Sequence, residues 1–217
     1  MEDRPQKRER LMQQINIHFP EWKPDVFKAI DTRDLKNHHI GCALSHRAII
    51  KEARIKKYKN ILVFEEDALL HADFRSLYDK NTEELKGSNW DILYLGACVW
   101  NPKPPKNPRT FESVQNCDYL KFLTRSTCTH GLAYNQSCYK YILNHLPDNK
   151  IDMKEWCKRN AAIDQWLMYK MQGIGSVKEG KRKFRCLITT PRICSQRFLV
   201  GPNKQDSPKD FPHHDKF

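Results

Sequence analysis

Asn60-Ile61-Leu62-Val63-Phe64-Glu65-Glu66-Asp67-Ala68-Leu69-Leu70 decides how this chain is read. A continuous apolar run of this length fits a strand buried on both faces, and it stops abruptly at three acidic residues. Open α/β sheets bind ligands at the carboxyl ends of their strands, so Glu65, Glu66 and Asp67 stand where a ligand would sit. Three adjacent carboxylates repel one another, and a cation or basic ligand relieves that repulsion. The plainer reading is a strand that ends in a solvated acidic turn. Side chains alternate along an extended segment, so Glu65 and Asp67 are expected to face one way and Glu66 the other.

Working outward, 217 residues suit one large domain or two small ones and allow a real core; no second core is evident along the sequence, so one domain is expected. Residues 1–200 are expected to form it, and the Pro-, Lys- and Asp-rich residues 201–217 a poorly ordered basic tail. Hydrophobic content is only 39%, but 10 Phe, 8 Tyr and 5 Trp argue against a disordered chain. No stretch approaches the ~20 apolar residues of a membrane helix. The start, Met1-Glu2-Asp3-Arg4-Pro5-Gln6-Lys7-Arg8, lacks the apolar core of a signal peptide. A cytoplasmic location is the expectation, and with it eight reduced cysteines, none in a C-x-x-C pair or at zinc-ligand spacing from a histidine. The net charge of +12 favours anionic partners such as phosphorylated ligands. No nucleic-acid-binding motif accompanies it, so a nucleic-acid partner rests on charge alone.

Helices are expected over 5–17 (capped by Asp3), 39–56, 74–86, 137–145 and 162–171. Strands are expected over 26–30, 60–64, 90–96, 119–123 and 129–134. Strand and helix alternating in this way predict an α/β fold, a mostly parallel sheet covered by helices. Residues 101–108 hold four prolines and read as an exposed loop, a common form for a functional cover.

Five segments together resemble a known family. They are Asp3-Arg4-Pro5-Gln6-Lys7-Arg8, Ala29-Ile30-Asp31, Gly41-Cys42-Ala43-Leu44-Ser45-His46, Leu62-Val63-Phe64-Glu65-Glu66-Asp67 and Ala162-Ile163-Asp164-Gln165-Trp166-Leu167. In this order and spacing they look like glycosyltransferase family 25, the lipooligosaccharide and procollagen galactosyltransferases. The resemblance implies a GT-A-like nucleotide-sugar-binding fold with a mixed, mostly parallel central sheet. It implies a UDP-sugar donor, a divalent cation (Mn²⁺ or Mg²⁺), and transfer of galactose or glucose with inversion to a hydroxyl on a glycan or glycosylated protein. Family members place an apolar strand before the Asp-Arg-x-Pro segment; here Met1 and Glu2 occupy that place, so the first strand is expected to be missing and donor affinity weak. A degenerate relative that binds without turnover is the alternative.

The residues suit that chemistry. A carboxylate-held cation neutralises the charge gathering on a departing diphosphate. Spacing favours Glu65 and Asp67 as its ligands, although the family generally reads Glu-Asp-Asp where this chain has Glu66, a residue assigned to the donor. Inversion needs a group to take the acceptor proton. The resemblance points to Asp164, and the start of a helix would favour its ionised form. His130 is the secondary catalytic candidate. The resemblance sets Asp31, Ser45 and His46 near the donor, and Arg4 and Arg8 could bind the diphosphate bidentately.

Overall fold

The computed structural model describes residues 5–99, 111–172 and 183–196. The Asp3 cap, Arg4, the proline-rich loop at 101–108 and the tail at 201–217 lie outside them. Helix α1 (Pro5–His18) is followed by a 3-10 turn at Arg33–Leu35, helix α2 (His38–Ile55) and strands β1 (Asn60–Phe64) and β2 (Ala68–Leu70). Then come α3 (Phe74–Leu85), β3 (Ile92–Tyr94), β4 (Cys98–Val99), β5 (Phe111–Ser113), β6 (Leu120–Leu123), β7 (Ser126–Thr127) and β8 (Gly131–Asn135). Three helices, α4 (Gln136–His145), α5 (Lys150–Asn160) and α6 (Ile163–Lys170), precede β9 (Cys186–Thr189) and β10 (Cys194–Gln196).

Asparagine starts three of these helices. The side chains of Asn37, Asn135 and Asn149 accept backbone N–H groups at the beginnings of α2, α4 and α5, satisfying donors that have no partner within the helix. Helix α5 was not foreseen, although Asn149 and the i, i+3, i+4 set Met153, Trp156 and Cys157, all buried, announce it. The strand expected over 26–30 is absent. That segment has no ladder, and Val26 and Phe27 are exposed.

The central sheet corrects the mostly parallel expectation. Its order is β1-β8-β3-β9-β6-β5, and only β3 and β9 pair in parallel; the other neighbours are antiparallel. Strands β1 and β3, separated by α3, do run in the same direction, as strand–helix alternation requires. They are not neighbours, because β8 enters between them antiparallel, with Leu62 opposite Ala133 on one side and Leu93 opposite the same residue on the other. Alternation of elements predicts direction but not adjacency. Strand β1 therefore lies at the sheet edge among the described residues, and its apolar side chains are half-buried rather than enclosed.

Period-two alternation divides the core between the two faces. Ile92 and Tyr94 of β3 pack with α2, α4, α5 and α6, while Leu93 and Leu95 pack with α1, β2 and α3. Strand β1 divides likewise, with Ile61 and Val63 toward the first group and Leu62 and Phe64 toward the second. Helices thus cover both faces of a mixed sheet, the coarse α/β expectation. No helix among the described residues is long and apolar enough to cross a membrane.

One cysteine pair departs from the all-reduced expectation. The β4–β7 ladder sets Cys98 opposite Thr127, which brings the next residue, Cys128, within disulfide distance (Cα–Cα 5.7 Å), and the two are bonded. They stand 30 positions apart, and nothing in their local sequence signals the contact. The other six cysteines are free. Thiol titration of the denatured, unreduced protein should therefore find six thiols, and eight after reduction. Eight in both would show the bridge absent. A loop of this length stabilises the fold by about 3–4 kcal/mol.

Candidate active site

The Gly41–His46 motif does two jobs from adjacent faces of α2. On one face, a Cβ at Gly41 would lie 2.6 Å from the Ile30 carbonyl oxygen and 2.8 Å from Thr32 Oγ1, so glycine is what lets residues 30–32 cross the helix. One turn on, the Ser45 hydroxyl donates to the Gly41 carbonyl (2.7 Å) and accepts the Ile30 N–H (2.9 Å). Ser45 is thereby committed to backbone, holding the segment that leads to Asp31. On the neighbouring face, Cys42 and His46 turn toward the end of β1 and meet Glu65.

The acidic triplet is a turn, not an extension of the strand. The Glu65 N–H donates to the His130 carbonyl (3.0 Å), and the Ala68 N–H then donates back to the Glu65 carbonyl (3.0 Å), closing the turn before β2. Alternation along a strand therefore does not govern how the three carboxylates point. Glu65 Oε1 accepts the Thr129 hydroxyl at 2.5 Å and lies 3.5 Å from His46 Nε2. Burial raises the Glu65 pKa, but His46 and the Thr129 hydroxyl outweigh it, and the carboxyl titrates below its ordinary value. Asp67 faces a different environment: Oδ2 accepts a hydrogen bond from Gln196 Nε2 (3.2 Å), while Oδ1 is buried with no hydrogen-bond partner among the described residues. Among the described residues, no cluster of three metal-ligand side chains contains both Glu65 and Asp67. Glu66 occupies the turn between them, half-buried.

Asp164 stands in the first turn of α6 and reaches the other end of the same loop. Its Oδ2 accepts the Cys128 N–H at 3.0 Å and its Oδ1 the Gln165 N–H at 2.7 Å. Residues 128–130 thus run between Asp164 and Glu65, pinned at Cys128 by one carboxylate and at Thr129 by the other. Cys128 takes a positive φ of 73° at this point.

His130, next along, is 2% exposed and sits against Gly96, the Cys194 carbonyl and the disulfide. Burial lowers its pKa, against the charges of Glu65 and Asp67, which favours the neutral imidazole. Among the described residues, neither of its ring nitrogens makes a hydrogen bond of good geometry.

The structure brings some expected residues together and leaves others apart. Glu65, His46 and Thr129 meet, Asp164 and His130 flank the same loop, and Asp67 lies beyond it against β10. Asp31 is exposed and paired with Arg33, whose hydrogen bonds hold its carboxyl well below the usual carboxylate range. Arg8 is exposed on α1, and Arg4 lies outside the described residues. Cys42, Thr129, Gln196 and the Cys98–Cys128 bridge were not foreseen. Cys42 had a signal, since it precedes His46 by four residues on one helix face. Gln196 had none, because only the pairing of β10 with β2 brings it to Asp67.

As a chemical device, the site offers a buried acceptor oxygen on Asp67, a carboxylate at a helix start on Asp164, and a buried neutral imidazole between them. A family model described as glycosyltransferase family 25 (LPS biosynthesis protein) matches residues 3–146, well over half the chain. Curated relatives are mammalian. The human "Inactive glycosyltransferase 25 family member 3" is 33% identical over 73 residues, covering 33% of this chain and 12% of that protein. The rat "Probable inactive glycosyltransferase 25 family member 3" is 33% identical over 73 residues, covering 33% of this chain and 13% of that protein. The mouse "Inactive glycosyltransferase 25 family member 3" is 31% identical over 71 residues, covering 32% and 12%. The matched stretch spans about an eighth of these relatives' length.

Proposed function

We propose that this chain, which belongs to glycosyltransferase family 25, moves a hexose from a UDP-sugar to a hydroxyl acceptor with inversion, using a divalent cation beside Asp67. The observation that carries the reading is the buried Asp67 Oδ1, a carboxylate oxygen just past the end of β1 with no hydrogen-bond partner among the described residues. A carboxylate oxygen in that position is what a hard cation such as Mn²⁺ or Mg²⁺ takes as a ligand. When bound, the cation would offset the charge that collects on the leaving diphosphate.

The chain's own residues supply the rest. Gln196 orients the Asp67 carboxylate by donating to its other oxygen. Asp164 is the base that receives the acceptor proton, since it is partly exposed in the first turn of a helix, whereas His130 is enclosed. His130 acts as a positioning residue that anchors the end of the 128–130 segment. The excess of basic residues favours an anionic nucleotide donor. The acceptor is a glycan or glycosylated protein, and galactose or glucose is the sugar. The disulfide supports an oxidising compartment over the cytoplasm expected from the sequence.

A second reading, donor binding without turnover, is favoured by the word "inactive" in the names of the mammalian relatives. One assay separates the two: UDP release from UDP-galactose, UDP-glucose and their N-acetyl forms, with Mn²⁺ or Mg²⁺. Metal-dependent release that falls about 10²-fold or more in Asp67→Asn supports transfer. UDP binding without release from any donor supports the second reading, and absence of both overturns the two together.

A further inference from the structure

Cys42, His46 and Glu65 each present one ligand atom to a common point, and we propose that they hold a zinc-class transition-metal ion, separate from the cation assigned to Asp67. The three atoms, Cys42 Sγ, His46 Nε2 and one Glu65 oxygen, all lie within 4.8 Å of one another. The His46–Glu65 spacing suits a shared ion better than direct bonding, and the longer Cys42–Glu65 contact would close by a few tenths of an ångström on loading. Nε2 to Oε1 is 3.5 Å and Sγ to Oε1 is 3.9 Å, the first beyond the ~2.7–3.2 Å of an N–H···O bond. Metal bonds of ~2.0–2.3 Å in a tetrahedron separate their ligand atoms by roughly 3.3–3.7 Å.

The surroundings point the same way. His46 is 4% exposed, and its Nδ1 is held at 3.1 Å by the hydroxyl of the fully buried Tyr134. A ligating imidazole is characteristically fixed through its second nitrogen in this manner, leaving the first to bind. The Thr129 hydroxyl fixes the carboxylate by donating to Glu65 Oε1. Cys42 and His46 are four residues apart on α2, so the helix presents both to the end of β1.

Thiolate, imidazole and carboxylate together favour Zn²⁺ or Co²⁺ over Mg²⁺ and Mn²⁺. Cys42 and Glu65 are only half-buried, which leaves a route in and a fourth position for water. Loading sends the Cys42 thiol proton to solvent as the Sγ–metal bond forms; no electron is transferred. The other possible set, Cys98, Cys128 and His130, has both sulfurs committed to the disulfide.

The test uses the full chain, stripped by chelator dialysis and titrated with Co²⁺. Expected is one tetrahedral cobalt per chain with a sulfur-to-cobalt charge-transfer band. The band is lost in Cys42→Ser and kept in Cys117→Ser, a half-buried cysteine elsewhere in the fold. Tyr134→Phe, which removes only the outer hydrogen bond, weakens cobalt about 10–100-fold. Should Cys42→Ser fail to fold, the wild type still answers: saturating Zn²⁺ must protect Cys42 from alkylation, read by peptide mass spectrometry. Absence of a thiolate band, a band that survives Cys42→Ser, or no protection overturns the site. None of these readouts requires turnover, so failure here is distinct from failure of the transferase reading.

Discussion

If Asp164 is the base in the proposed transfer, Asp164→Asn is expected to lower hexose transfer about 10²–10⁴-fold while UDP still binds, the range for removal of a general base. The substitution keeps one of the two backbone hydrogen bonds that Asp164 accepts and gives up the other, because the amide nitrogen cannot accept the Gln165 N–H. An asparagine oxygen can still accept the Cys128 N–H that Asp164 Oδ2 now receives at 3.0 Å, so residues 128–130 keep their course. What disappears is the ability to hold a proton taken from the acceptor hydroxyl. The measurement is initial UDP release at saturating donor, with calorimetric UDP binding alongside. A rate within about threefold of wild type would move the base to another residue, and His130→Gln would then be the variant to lose activity.

Gly96→Ala has the largest expected effect on stability. A Cβ there would fall 1.6 Å from the Cys194 carbonyl oxygen and 3.0 Å from His130 Nε2, so backbone must part to admit it. The strain falls on a dense junction. The Ile193 and Cys194 N–H groups donate to the Leu95 carbonyl (2.8 and 3.0 Å), and the Thr189 hydroxyl donates to the same oxygen (2.9 Å). Forcing extra volume into a packed interior costs about 1–3 kcal/mol and occasionally more, and contact with rigid backbone puts this case at ~3 kcal/mol or above. For a chain of this size that lowers Tm by roughly 6–12 °C. A urea or thermal midpoint within about 1 kcal/mol of wild type would show that the chain can open here cheaply.

Much of the helical layout was legible because it is local. Pro5, Asn37 and Phe74 mark helix starts that the apolar spacing after them confirms, and α1, α2 and α3 form within a residue or two of expectation. The strands were legible as elements but not as a sheet. Apolar content marks β1, β3 and β8, yet nothing in residues 131–135 announces that they lie between the other two. The site divides in the same way. The Gly41–His46 motif and the acidic triplet stood out, and both reach the region between β1 and α2. Their internal geometry did not, because Glu65–Asp67 turns where extension was assumed, and a turn is set by two backbone hydrogen bonds rather than by composition. The disulfide and Gln196 were beyond reach for the same reason, since each depends on pairing between distant segments.

The insertion of β8 between β1 and β3 also sets the order in which the chain can fold. As it leaves the ribosome, β1 has no partner among the described residues until residue 131 emerges, and β3 gains its parallel neighbour only at residue 186. Most of the sheet therefore closes late, through loops long enough to make its assembly slow. A fragment ending at residue 146, where the family match stops, would carry the motif and the acidic turn but lack β9, which joins β3 to β6. The stretch by which the family is recognised is therefore not expected to fold alone, and truncations drawn to its limits should aggregate rather than report on activity.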